Sequence, residues 1–498
     1  GPALREHFRA DRFNSLAGRS QAGSPEFSKP LAPMSFFEFG FDDADDALDP
    51  SHIEQLVAAY EAQGSSAYFD SDTLEEIATY YYERGRFEDA LGVIDRLLAL
   101  HPTASDAWMR RGILLSHLGR HEEALQAYDR ALSLNPTDTE TLVNLGITLD
   151  NLGRFEEALQ TYERALQIDP LNDEIYYNLG ITLERMDRLE EAVQALEEAA
   201  RLNPDHPEVW YELGFCYDRL GDDERSLACY DRHLELDPYS ADAWYNRGIV
   251  LNRMGRYREA VASYDYAIAI QEDFGSAWYN RGNALTNLGD LRGAIESYEK
   301  VLEIEGGDPA TYYNIALAYE ELQEYETAIQ YFQLALEEDP AYAEAWYGLG
   351  CCYDALERFE EAIACMERAV TLQPETSEFW YAKADCEYNA RRLQDALQSY
   401  HRVIELDPQN RDAWLDYAET LLEAGYVEES LQAYRQALTL NPDARAYIRQ
   451  ARALLALGRS EEGIRSLKMA LRLDPSAKDE LPEFYRDASI RRQLGLDG

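Results

Sequence analysis

The chain has 498 residues, and its 94 Asp and Glu against 46 Lys and Arg give a formal charge of −48. That balance argues against nucleic acid or an anionic membrane as a direct partner, since both need a positive surface, and favours basic partners that associate quickly and salt-sensitively. No run of 18 apolar residues occurs, so no membrane span is expected.

Residues 1–33 stand apart from the rest. Gly1-Pro2 looks like the scar of a cleaved tag, and Gly23-Ser24-Pro25-Glu26-Phe27 like a cloning-site linker, which makes Met34 the expected native start. Between them, residues 3–22 carry Arg5, Arg9, Arg12 and Arg19 against Glu6 and Asp11. Two readings stand: leftover vector sequence, or a partner peptide fused to its receptor to raise its effective concentration. Residues 34–70 begin acidic (MSFFEFGFDDADD), unlike a secretory signal, and the expected location is cytoplasmic. Within them, 51–63 reads as a lone amphipathic capping helix after Asp49-Pro50.

From residue 71 to 475 the chain repeats itself every 34 residues. Ala124, Ala158, Ala192, Ala260, Ala294, Ala328, Ala362 and Ala396 keep the period, as do Gly112, Gly146, Gly180, Gly214 and Gly248 and Trp210, Trp244, Trp278 and Trp346. With Trp108 as position 4, a unit carries aromatic at 4, Leu at 7, Gly or Ala at 8, Ala at 20, Tyr at 24, Ala at 27 and Pro at 32. Positions 4, 7, 8 and 11 make one helical stripe and 20, 24 and 27 another. Gly119, Gly153, Gly221, Gly255 and Gly289 at position 15 end the first helix, and Pro at 32 stops the second. Each unit is thus a helix, a tight turn and an antiparallel helix that buries its apolar faces only by stacking on its neighbours. About twelve units are expected, closed by a capping helix over 476–498, where residues 478–494 read as helical.

This pattern resembles the tetratricopeptide repeat family over about four-fifths of the chain. The resemblance implies an all-α, right-handed superhelical solenoid whose first helices line a concave groove. Positions 2, 5, 6, 9, 12 and 13 would face that groove. Position 5 holds Tyr177, Tyr211, Tyr245, Tyr279 and Tyr313; position 6 holds Asn144, Asn178, Asn246, Asn280 and Asn314, with Glu212 interrupting. A column of Asn offers donors and acceptors to the main chain of a bound peptide, and Tyr adds area at low entropy cost. It resembles the asparagine column of O-linked N-acetylglucosamine transferase and that of peroxisomal import receptors, where those Asn contact bound peptide backbone. Asp150, Glu184, Asp218 and Glu320 at position 12, with Glu140, Glu174, Glu208 and Asp242 at position 2, would select Arg or Lys side chains, and Arg185, Arg219 and Arg253 either temper that charge or pair with it structurally. The two-carboxylate clamp of chaperone-binding relatives needs Lys or Arg at 5 and 9. Here those positions are Tyr and residues such as Ile147 and Ile181.

The same acidic, Arg-over-Lys composition is what a salt-adapted or GC-rich organism gives any protein; only five lysines occur. The six cysteines form no CxxC and no His is spaced for a metal, so they read as small buried residues of a reducing compartment, with no cofactor expected. No phosphate loop, GxSxG or HExxH is present, and pairs such as Glu156-Glu157 and Glu360-Glu361 read as helix-start charges. The expectation is a non-enzymatic adaptor that binds a basic, Arg-rich peptide, with segment 3–22 as one candidate. The alternative is a self-associating scaffold that uses no groove.

Overall fold

The computed structural model describes residues 50–63 and 68–480, together with Arg492 and Leu494. Segment 3–22, the acidic start at Met34 and most of the expected terminal helix over 478–494 lie outside the described residues. Twelve helical hairpins follow one another, from Ser71–Glu83 with Phe87–Leu100 to Ala444–Ala456 with Ser460–Leu473, and no strand occurs among the described residues. The expected all-α solenoid of stacked hairpins is therefore present. The described residues fall into two compact units that part between Phe274 and Gly275, with six hairpins in each.

Each hairpin turns through a residue at position 15 in the left-handed region, which an L side chain enters only at a cost. Gly85, Gly119, Gly153, Gly221, Gly255, Gly289, Gly425 and Gly458 supply it with φ between +68° and +88°, and Asp187, Gln323, Glu357 and Arg391 hold the same conformation without glycine. In the third hairpin, Gly153 N–H donates to Asp150 O (2.9 Å) and Arg154 N–H to Leu149 O (2.9 Å), satisfying carbonyls left open by the helix end. The second helix starts beyond this turn. Its acidic N-terminal side chain is gripped by the arginine that precedes the helix: Arg154 Nε lies 2.8 Å from Glu157 Oε1, and Arg120–Glu123 and Arg188–Glu191 repeat the grip.

The two helices of a hairpin approach closely because position 8 lacks a side chain. A Cβ on Gly146 would lie 2.4 Å from the Tyr162 ring, and one on Gly248 2.5 Å from Tyr264. The eighth hairpin has Ala316 instead, and its ring, Phe332, packs toward the next hairpin. A Cβ on Gly348 would stand 2.4 Å from Phe332 Cζ. The polar column breaks at 348 because the ring of the preceding hairpin fills that space.

Successive hairpins are tied by the Trp at position 4, whose indole N–H donates to the carbonyl of the preceding loop proline. Trp210 to Pro204 (2.9 Å) and Trp244 to Pro238 (3.0 Å) lie in the N-terminal unit, and Trp346 to Pro340 (3.0 Å) and Trp380 to Pro374 (2.9 Å) in the C-terminal one. Within each unit, first helices of consecutive hairpins also touch one another, as Asp173–Arg185 does both Thr139–Asn151 and Pro207–Arg219, which makes the first-helix face the tightly packed one. The helix Pro50–Gln63 covers the first hairpin, where Tyr81 donates its hydroxyl to Glu61 (3.0 Å) and Val57 joins the core.

Candidate functional site

The first-helix face is built from side chains that meet their neighbours 35 residues on, one position further along in the next hairpin. Asn246 Nδ2 donates to Tyr211 OH (3.0 Å) and Asn314 Nδ2 to Tyr279 OH (2.9 Å), and Tyr381 OH bonds the Asp416 carboxylate by the same offset. The column of positions 5 and 6 is thus also a ladder of hydrogen bonds across the joints. Asn144 and Asn178 have no exposed surface, and Asn178 Nδ2 is spent on Glu174 O (2.9 Å). Asn246 and Asn314 keep 6% exposed, and Asn280 is half-buried. Of the tyrosines, Tyr177 and Tyr313 are buried, while Tyr211, Tyr245 and Tyr279 are half-buried.

The position-12 carboxylates follow the same rule. Asp150, 2% exposed, accepts from Thr182 Oγ1 (2.7 Å) and pairs with Arg185, both on the next first helix. Burial pushes its pKa up, against the pull of these two partners. Asp218, half-buried, pairs with Arg253, which also reaches Asp223. Arg219 pairs with Asp187 (2.7 Å). Of the two roles open to these arginines, the structural one is occupied at all three. Glu320 is buried and Glu184 half-buried.

The position-2 acids stay nearer solvent. Asp106, Glu208 and Asp242 are exposed, and Glu140 and Glu174 half-buried. His206, on the loop between the fourth and fifth hairpins, stands between two of them, 3.4 Å from Glu174 and 3.1 Å from Glu208, with its ring against Tyr177. Burial alone would lower its pKa, but hydrogen bonds and charge from Glu174 and Glu208 outweigh burial and raise it to about 9. A folded pKa above the unfolded value of about 6.5 means stabilisation that is complete below pH 6.5 and lost as pH rises through 9. Thermal melts of the wild type should fall across that window, and His206→Gln should flatten the slope there; an unchanged slope in the variant would place the titration elsewhere.

Sequence reasoning missed Asp242 as distinct from its row. It forms no ion pair with any described residue, and although its side chain reaches solvent, desolvation by the neighbouring groups holds its pKa above the usual aspartate value while its charge acts on Tyr211. The missing signal is spatial, since position 34 is a cationic His206 in the preceding joint and a neutral Ser240 here.

Among the described residues no group of three His, Cys, Asp or Glu could hold a metal ion, no helix is long and apolar enough to cross a membrane, and no disulfide joins the six cysteines. Burial pushes the Cys229 and Cys365 thiols up to about 12.

Comparison with known families matches the C-terminal domain of cilia and flagella-associated protein 70 over residues 272–483. Tetratricopeptide repeat models match 76–139, 127–160, 151–187, 177–241 and 241–274. No curated protein matches the chain. Solved structures similar to parts of it include MamA (27% identity, 33% of this chain and 97% of that one, TM-score 0.32). YrrB, described as a TPR protein with an unusual peptide-binding site, is 23% identical over 40% of this chain and 99% of its own, with a TM-score of 0.36. PilF of Pseudomonas aeruginosa is 21% identical over 44% and 97%, with a TM-score of 0.37.

Proposed function

Since the chain belongs to the tetratricopeptide repeat proteins, we infer that it is a protein-binding adaptor whose ligand is a basic peptide segment laid along the first-helix face. The observation that supports this reading most is Asp242. It is exposed and has no ion-pair partner among the described residues, so a ligand's Arg or Lys can pair with it. Tyr211, Tyr245 and Asn246 lie on the same face of the N-terminal unit and offer aromatic edges and an amide to the ligand main chain. In the C-terminal unit, Tyr279, Asn280 and Asn314 repeat the pattern. Asn144, Asn178, Tyr177, Tyr313, Asp150 and Glu320, being buried, enter the proposal as supports of that surface, Asp218 is matched by Arg253, and Glu184 adds negative charge to it. Six cysteines that form no disulfide fit a reducing, cytoplasmic setting.

Selection from a random peptide display library at 0.15 M salt tests this. Enriched peptides should carry Arg or Lys, and Asp242→Asn should weaken the best of them about tenfold. Glu156→Gln, an equal charge change on an exposed second helix, should leave them unchanged. Enrichment of neutral or acidic peptides, or indifference to Asp242→Asn, would overturn the reading.

A further inference from the structure

The second-helix side of the array carries a recurring cation slot. In the second hairpin the Arg111 guanidinium lies 5.8 Å from the Trp108 ring and 2.7 Å from Asp95 of the hairpin before. The sixth repeats it with Arg247, 5.6 Å from Trp244 and 2.6 Å from Asp231. In the seventh, Arg281 stands 5.7 Å from Trp278. The tenth places Lys383 at 5.7 Å from Trp380 and 2.6 Å from Glu387. The ninth fills the slot from the other helix, with Arg368 at position 26 lying 5.7 Å from Trp346. In each case a cation of this chain sits over the position-4 ring, where the aromatic quadrupole favours it and, in the second, sixth and tenth, a carboxylate completes the neutralisation.

The eighth hairpin, like the fifth with Trp210 and the eleventh with Trp414, has the ring with no cation over it among the described residues, and it lies in the stretch of the chain poorest in cations. Its position-4 ring is Tyr312, its position 7 is Ile315, and its position 26 is Leu334, a large apolar side chain left 37% exposed. Tyr331 packs beside Tyr312 (6.4 Å between ring centroids) and donates its hydroxyl to Glu299 of the hairpin before (3.4 Å), while Glu338 and the Tyr312 hydroxyl come together at Gly307. From 301 to 357 the sequence has thirteen acids and no Lys, Arg or His. Of the cations on the helix Leu291–Glu305, Lys300 is paired with Glu303 (2.6 Å), and Arg292 is paired with Glu324 and lies over Tyr319 rather than Tyr312.

We propose that this groove, between the helix Leu291–Glu305 and the hairpin of residues 309–338, is a docking surface for an arginine-bearing segment of a partner protein, one guanidinium taking the place over Tyr312 that Arg111, Arg247, Arg281, Arg368 and Lys383 hold elsewhere. Charge complementarity names the occupant, and the planar guanidinium fits better than an ammonium because it stacks on tyrosine and bonds a carboxylate at once. The surface lies on the second-helix side of the C-terminal unit, so it does not depend on the peptide site argued above.

Calorimetric titration of a blocked hexa-arginine peptide into the full chain at 0.15 M salt tests it, in the Asp242→Asn background so that the first-helix face is weakened. Hexa-arginine should bind at least fivefold tighter than hexalysine. Leu334→Arg, which copies Arg368 and fills the slot internally at an exposed position, should cut that affinity at least tenfold with far-UV circular dichroism unchanged, as should Tyr312→Ala. Gln160→Arg, the same charge change on an exposed second helix of the other unit, should alter it less than twofold. Equal affinity for the two peptides, or equal loss from Gln160→Arg and Leu334→Arg, would show attraction to net charge alone and overturn the proposal.

Discussion

Gly146→Val should cost about 3 kcal/mol and release the third hairpin before the rest of its unit, because the new side chain enters space held by the Tyr162 ring. A Cβ at 2.4 Å from an aromatic carbon leaves no room to settle, and Tyr162 has no exposed surface into which to swing. In a stacked array such damage stays local, since each hairpin touches only its neighbours. Amide exchange should therefore accelerate first over residues 139–168. The sequence itself supplies a rescue. The first hairpin pairs Ala78 at position 8 with Ile94 at position 24. Gly146→Ala combined with Tyr162→Ile should regain most of the stability that Gly146→Ala alone loses. A Gly146→Val protein with wild-type exchange over the third hairpin would refute the packing account.

Arg185→Met should cost about 3–5 kcal/mol, since it strands the Asp150 carboxylate, whose side chain has no exposed surface, with only Thr182 for a partner. Asp150→Asn added to it should restore part of that loss by removing the uncompensated charge. Arg154→Met breaks an ion pair of ordinary geometry whose partners are 40% and 55% exposed, and should leave the melt unchanged. Urea melts of the four proteins decide the matter. Equal midpoints for Arg185→Met and Arg154→Met would mean that burial at the joint contributes nothing.

These contrasts mark what the sequence alone could reveal. The 34-residue period fixed the hairpins, because glycine at 15, proline at 32 and small residues at 8 and 20 each answer to a local steric demand. Four turns carried no glycine signal, and Asp187, Gln323, Glu357 and Arg391 were found there only by their backbone angles. The site was less legible. Positions 5, 6 and 12 fall on one helical face, but the neighbour across the joint decides how much of each reaches solvent. That neighbour lies at an offset of 35, seen in Tyr211 with Asn246, Tyr279 with Asn314, Asp150 with Arg185 and Asp218 with Arg253. A search for complementary residues at 35 would have shown these pairs. The exposure that separates Asn178 from Asn280 depends on packing in three dimensions, and the Asp242 carboxylate lacks the histidine that Glu174 and Glu208 share.

The first-helix face as the ligand surface is tested most directly by hydrogen exchange on the full chain, free and saturated with the best selected basic peptide. The account predicts slowed exchange in the first helices Pro207–Arg219 and Ala241–Arg253, reduced in Asp242→Asn, with the second helices Asp223–Leu236 and Tyr257–Ile270 unaffected. Protection confined to those second helices, or spread evenly over every hairpin, would contradict it.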